Sequence, residues 1–202
     1  TAYEDVWTNP PYGVSDTDGT HDAAGVVAIH DAMGELNGAV VGTLQREGVP
    51  ALPVRPLSVA SRDADGTTTF PSGQVETMLA EAFVPVTHGD VVVQAGEGGT
   101  VLSGDEIVTL LAGQLSADRV GLCSTVPGVL DADGAVVDRI DSFDAVASAL
   151  GASDATDVTG GMAAKVRSLL DLDTPASIFG PDDLAAFLAG GRPGTLVQRP
   201  RP

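Results

Sequence analysis

Lys165 is the single lysine in a chain of 202 residues, and it stands in the run DVTGGMAAKVRSLL, residues 157–170. Two adjacent glycines, Gly160 and Gly161, open a helical pattern there and leave backbone amides unshielded at the positive end of the helix dipole, which attracts anions. A lysine one turn further in can reach back toward a phosphate held at that end and act as a point charge. This combination suits phosphoryl transfer, where catalysis consists mainly of positioning and of neutralising developing charge. The sequence GxxxxGK[ST] does not occur, which excludes a P-loop enzyme.

The other residue types with chemical potential are more scattered. His21, His30 and His88 lack the spacing of a metal site, and a packed or solvated imidazole is the plain reading of each. His30 falls on the apolar side of its helix. His88 stands beside a Gly-Asp step that interrupts a strand, and of the three it is the one expected near a pocket. Cys123, the only cysteine, lies in the apolar run RVGLCSTV and is expected to be a buried core thiol, with no internal disulfide possible. The acidic clusters DTDGTHD (16–22) and DADG (131–134) begin like calcium loops but lack the third oxygen ligand and the closing glutamate, so turn chemistry is expected at both.

Aspartate and glutamate number 28 against 10 lysines and arginines, a formal net charge of -18. Such a surface repels nucleic-acid backbones and anionic membranes, and no basic stripe interrupts it. With 43% hydrophobic residues in regular periodicity the chain reads as a packed globule rather than a disordered acid tract. The abundance of Asp, Ala, Gly, Val and Thr resembles the bias of salt-loving archaeal proteomes, in which ionic strength screens self-repulsion. No apolar run approaches the roughly 20 residues of a membrane span and no signal-peptide order opens the chain, so a cytoplasmic location is expected.

The elements that must position these groups follow from hydrophobic spacing. Residues 1–20 read as loop. Val26, Ile29, Met33, Leu36, Val40, Val41 and Leu44 recur at helical spacing from His21 until Gly48 ends the run. A short strand (ALPV, 51–54), a hairpin (RDADGTTTF), a short helix (VETMLAEAF) and an interrupted strand (VPVTHGDVVV) follow. Ser103 opens a capping box, SGDE, for a helix to about Leu115. Then come a strand expected to be buried on both faces (RVGLCSTV), a hairpin (DADGAVV), a short helix over 142–150, the helix after Gly160, and strand, helix and strand in PASIFG, PDDLAAFLAG and GTLVQ. This alternation predicts an α/β fold with a largely parallel sheet.

In order, FVPVTHGDVV, VLSGDEIVTLLAGQL, DRVGLCSTVPGVLD, DVTGGMAAKV and SIFG resemble the motifs of the amino acid kinase superfamily. Within it, GTHDAAGVVAIHDAMGELNGAVVGTL followed by GVPALPVRPLS resembles the isopentenyl phosphate kinases of haloarchaea, and the resemblance extends from Tyr12 to Val197.

The resemblance implies an open three-layer αβα sandwich with a largely parallel central sheet. It implies a partial acceptor-substrate lobe over 1–115, with 1–20 as a loop or non-matching segment, and a nucleotide-binding lobe over 116–202. The reaction implied is transfer of the γ-phosphoryl group of ATP to isopentenyl phosphate in archaeal isoprenoid synthesis, with ATP and Mg2+ as cofactors, no protein-held metal, and a homodimer. Carried over by position, Gly89 faces the acceptor phosphate; Thr125, in STVPG where the family often has T-D-V-D-G, lies near the nucleotide. Asp157 orients the charged groups, Gly160 and Gly161 approach the phosphates, and Lys165 holds them. Ile29 and Met33 are candidates to line a prenyl pocket. The family's K-x-G-G-S and H-G-G-G-S-F-G-H segments do not occur, and residues 1–11 match nothing in its pattern, so an N-terminal portion is expected to be lost or replaced. Alternatives are a kinase of the same fold acting on an acylated amino acid or carbamate, and a nucleotide-binding module without catalysis. The apolar helix from His21 favours the isoprenoid acceptor over the polar ones.

Overall fold

The computed structural model describes residues 19–147 and 161–200, which form a mixed α/β structure of open sheets divided between Ile107 and Val108 into two compact units. In the first unit α1 spans Ala23–Arg46. Asp22 caps it by accepting the Ala24 amide at 3.0 Å, and Gly48, at φ 81°, follows its end in the left-handed region that glycine adopts freely. Strand β1 (Ala51–Pro53) leads through a 3-10 turn (Pro56–Ser58) to the hairpin β2 (Ser61–Arg62) and β3 (Thr68–Thr69). The hairpin turn is built by Asp63, whose Oδ1 accepts the amides of Asp65 and Thr67, with Gly66 at φ 81°. After α2 (Gly73–Ala80) come β4 (Val84–Val86), β5 (Asp90–Gln94), β6 (Gly98–Leu102) and α3 (Gly104–Gln114).

Strands β1 and β4 pair in parallel, Ala51 opposite Val84. A separate sheet has the order β3-β2-β5-β6, with β2 parallel to β5 and the other neighbours antiparallel. Arg62, 6% exposed, ties this sheet to α3: its guanidinium donates to Thr68 Oγ1, Thr100 Oγ1 and both carboxylate oxygens of Glu106, the last at 3.0 and 2.8 Å. Ser103 Oγ accepts the Glu106 amide at 3.1 Å, as the capping pattern predicts.

The second unit holds β7 (Val120–Cys123), β8 (Arg139–Ile140), α4 (Gly161–Leu170), β9 (Ala176–Phe179), α5 (Leu184–Leu188) and β10 (Thr195–Val197). Its sheet has the order β7-β9-β10-β8, with β7 parallel to β9 and β10 parallel to β8. Val120, Leu122, Ile140, Ile178 and Val197 pack with Ala163, Val166, Leu169 and Leu170 of α4 into one core. Aromatic cover lies over Gly121, where an added Cβ would come within 2.6 Å of the Phe187 ring, itself stacked on Phe179.

Cys123 corrects an expectation: it is exposed. It is the last residue of β7, which among the described residues is at the edge of its sheet and pairs on one side only, with Cys123 opposite Phe179. Of the short helix expected over 142–150, residues 142–146 are bends and turns and 148–150 lie outside the described residues. Among the described residues no helix is long and apolar enough to cross a membrane.

Candidate active site

Ligands of open α/β sheets bind beyond the carboxyl ends of parallel strands. In the first unit that edge belongs to β1 and β4, and the segment leaving β4 carries Thr87, His88, Gly89 and Asp90. Gly89 meets the start of α3 closely. A Cβ added to it would stand 3.1 Å from the Gly104 amide nitrogen and 3.3 Å from the Leu102 carbonyl. Two glycine backbones therefore approach one another at the positive end of α3, an arrangement that suits an anion.

The same segment is rich in buried polarity. Asn37, 2% exposed, donates from Nδ2 to the Val86 carbonyl at 3.0 Å. His88 is 9% exposed, with Nδ1 2.9 Å from the Gly89 carbonyl. Asn37 Oδ1, Thr87 Oγ1 and His88 Nε2 are buried without a hydrogen-bond partner among the described residues. Orphaned buried polar atoms are rare, and their concentration on two adjacent residues, Thr87 and His88, and on Asn37, which is bonded to the preceding Val86 carbonyl, marks a place suited to a polar ligand. His88, the histidine expected near a pocket, is buried on this segment. His30 departs from the core reading: it is half-buried, with Nδ1 2.8 Å from Oδ2 of the fully buried Asp90.

Beside this polar strip lies a small apolar cluster. Ile29 and Met33, each 4% exposed and one helical turn apart on α1, pack on Val91 and Val101 of β5 and β6, with Val26 half-buried against them. The cluster is distinct from the larger core of the second unit.

In the second unit the carboxyl edge of β7 and β9 carries Cys123, Ser124 and Thr125, and the Ser124 amide donates to the Phe179 carbonyl at 2.8 Å. Thr125 is exposed at this edge. Helix α4 leads through a short link into β9, so it runs back along the sheet and its amino end lies toward the carboxyl edge of that strand. Gly161 opens α4, buried and at φ 60°, a conformation costly for any residue with a Cβ. Lys165, half-buried, follows at i+4 on the same helix face, and helical side chains lean toward the amino end. Thr125, Gly161 and Lys165 belong to the second unit and Gly89 to the first. Asp157 and Gly160 lie outside the described residues.

The acids of DADG are occupied by their own turn. Asp131 Oδ1 accepts the amides of Asp133 and Ala135, both at 2.9 Å, and Gly134 takes φ 79°. Among the described residues no group of three or more His, Cys, Asp or Glu could hold a metal ion. Gly104, Arg55 and Asp90 were not singled out from the sequence. For Asp90 a signal was present, since it directly follows Gly89 in THGD.

A family model described as the amino acid kinase family matches residues 4–174. The chain is 60% identical over 187 residues to the isopentenyl phosphate kinase of Haloferax volcanii, an alignment covering 93% of this chain and 75% of that protein. It is 36% identical over 141 residues to the isopentenyl phosphate kinase of Methanocaldococcus jannaschii, covering 68% of this chain and 53% of that one. A crystal structure of isopentenyl phosphate kinase superposes with a TM-score of 0.75 at 24% identity, covering 92% of this chain and 76% of that chain.

Proposed function

The chain belongs to the amino acid kinase family, and from that premise we propose that it transfers the γ-phosphoryl group of ATP to isopentenyl phosphate, giving isopentenyl diphosphate and ADP. The observation that carries this reading is the 60% identity over 93% of the chain to a protein named for that reaction.

Each unit has groups suited to one half of the chemistry. The region read as the acceptor lobe, residues 1–115, contains the apolar cluster of Ile29, Met33, Val91 and Val101, which suits a branched hydrocarbon tail. The Gly89 and Gly104 amides suit the phosphate at its head. An acylated amino acid or a carbamate would call for polar or basic contacts where this cluster is dry.

The region read as the nucleotide lobe, residues 116–202, contributes Thr125, Gly161 and Lys165. The Gly161 amide and the positive end of α4 would hold a nucleotide phosphate, and the Lys165 ammonium would neutralise charge on it. The family resemblance gives Gly160 and Asp157 the remaining parts, the first to approach the phosphates and the second to orient the charged groups. Mg2+ fits as an ion carried on the ATP phosphates, where it neutralises charge on the transferring group. The protein's own contribution is positioning, which accounts for most of the catalysis of phosphoryl transfer. A homodimer is part of the proposal.

An ADP-release assay in multimolar KCl, with isopentenyl phosphate and N-acetylglutamate as competing acceptors, tests it. Turnover is expected with isopentenyl phosphate alone. Preference for N-acetylglutamate would move the acceptor to another branch of the family, and a chain that binds ATP but phosphorylates neither would leave the non-catalytic reading.

A further inference from the structure

Asp90 has no exposed side-chain surface, and three donors converge on its carboxylate. The Val91 amide reaches Oδ1 at 2.8 Å, while the Leu57 amide and His30 Nδ1 reach Oδ2 at 3.2 and 2.8 Å. A carboxylate already accepting two amide protons offers lone pairs to the imidazole, so the shared ring proton sits on Nδ1 and Nε2 faces away from Asp90. The His30 side chain keeps 16% of its surface exposed, and Nε2 has no hydrogen-bond partner among the described residues.

One turn further along α1, Gly34 leaves room for a guanidinium. Arg55 Nη1 lies 2.8 Å from the place a Cβ at residue 34 would occupy, and Cζ lies 3.2 Å from it. Positions i and i+4 of a helix are neighbours, with Cβ atoms roughly 6 Å apart. The guanidinium therefore lies against α1 one turn from His30, where the helix meets the segment of Arg55 and Leu57. In a chain with 28 acids, Arg55 has no carboxylate partner among the described residues. The pair adjoins the Gly89 loop through Asp90, and the orphaned polar atoms of Thr87 and His88 lie on that same loop.

We propose that His30 Nε2 and the Arg55 guanidinium form a clamp for the phosphate of the acceptor, with Asp90 as the positioning residue that locks the imidazole. This rests on reading the first unit as the acceptor side. The clamp gives the acceptor phosphate a charge-assisted hydrogen bond from the Arg55 guanidinium and one from His30 Nε2, which donates when the ring carries a proton on each nitrogen, in addition to the backbone amides of Gly89 and Gly104, and it selects a phosphate ester over the corresponding alcohol.

Calorimetric titration of the full chain in KCl without ATP, using isopentenyl phosphate and its phosphate-free alcohol, tests the clamp. His30→Asn keeps a donor facing Asp90 and removes the forward nitrogen, His30→Gln restores an amide near Nε2, and Arg55→Met keeps only the aliphatic stem. The wild type is expected to bind the phosphate ester more tightly than the alcohol. His30→Asn and Arg55→Met should each weaken the ester by roughly ten- to a hundred-fold, the range for a charged hydrogen bond. ATP affinity and melting midpoint should not change, and His30→Gln should recover part of the loss. Unchanged ester affinity in both variants would overturn the clamp while the acceptor reading stands. A wild type indifferent to the phosphate would overturn both. A His30→Asn loss matched by ATP affinity or melting midpoint would assign His30 a structural role and reject the clamp.

Discussion

At the scale of single residues, two positions separate the halves of the reaction. Lys165 follows the buried, left-handed Gly161 by one helical turn, and the proposal gives it an anion held at the start of α4. Lys165→Met keeps the aliphatic stem and should weaken ATP binding by about 1 to 3 kcal/mol without loss of fold, as read by calorimetry and a thermal melt. Equal ATP affinity in both proteins would remove Lys165 from the nucleotide site. Gly89 is proposed for the other substrate. A methyl group there meets the Gly104 nitrogen at 3.1 Å and the Leu102 carbonyl at 3.3 Å, so the loop must shift away from α3. Gly89→Ala is expected to raise KM for isopentenyl phosphate and leave KM for ATP unchanged; an effect on ATP alone would displace Gly89 from the acceptor side.

At the scale of elements, the Arg62 network joins β2, β3, β6 and α3 in a single set of hydrogen bonds. Removing the guanidinium leaves Thr68, Thr100 and Glu106 without their common donor, and Arg62→Met should cost about 3 kcal/mol or more, the range for breaking a buried ion pair. Urea unfolding is the measurement, and an unshifted transition would mean the network is incidental. This network also shows what the sequence could disclose. The helix from Asp22, the Asp63 and Asp131 turns and the Ser103 cap were legible because each is settled by residues within one turn of chain. Arg62 and Glu106 are 44 residues apart, and His30 and Asp90 are 60 apart, and no local pattern announces such pairs. The apolar run at β7 hid a further fact. Pairing order decides whether a strand is central or at an edge, and hydrophobicity alone does not, so Cys123 was read as core and is exposed. On the site, the anion-seeking pattern of Gly161 and Lys165 was visible in residue types, whereas the acceptor side depends on backbones from β4 and α3 meeting in space.

At the scale of the whole molecule, a formal charge of -18 means that self-repulsion opposes compaction until counterions screen it. The melting midpoint is expected to rise from low to multimolar KCl, and a constant or falling midpoint would end the halophilic reading. The exposed position of Cys123 has a separate consequence. A chain with one thiol, carried at the end of β7 beside Ser124 and Thr125, accepts a single maleimide fluorophore at one defined place without any engineered cysteine. A dye attached there sits at the edge proposed for the nucleotide, so a change in its emission on adding ATP is expected if that proposal holds, independent of turnover.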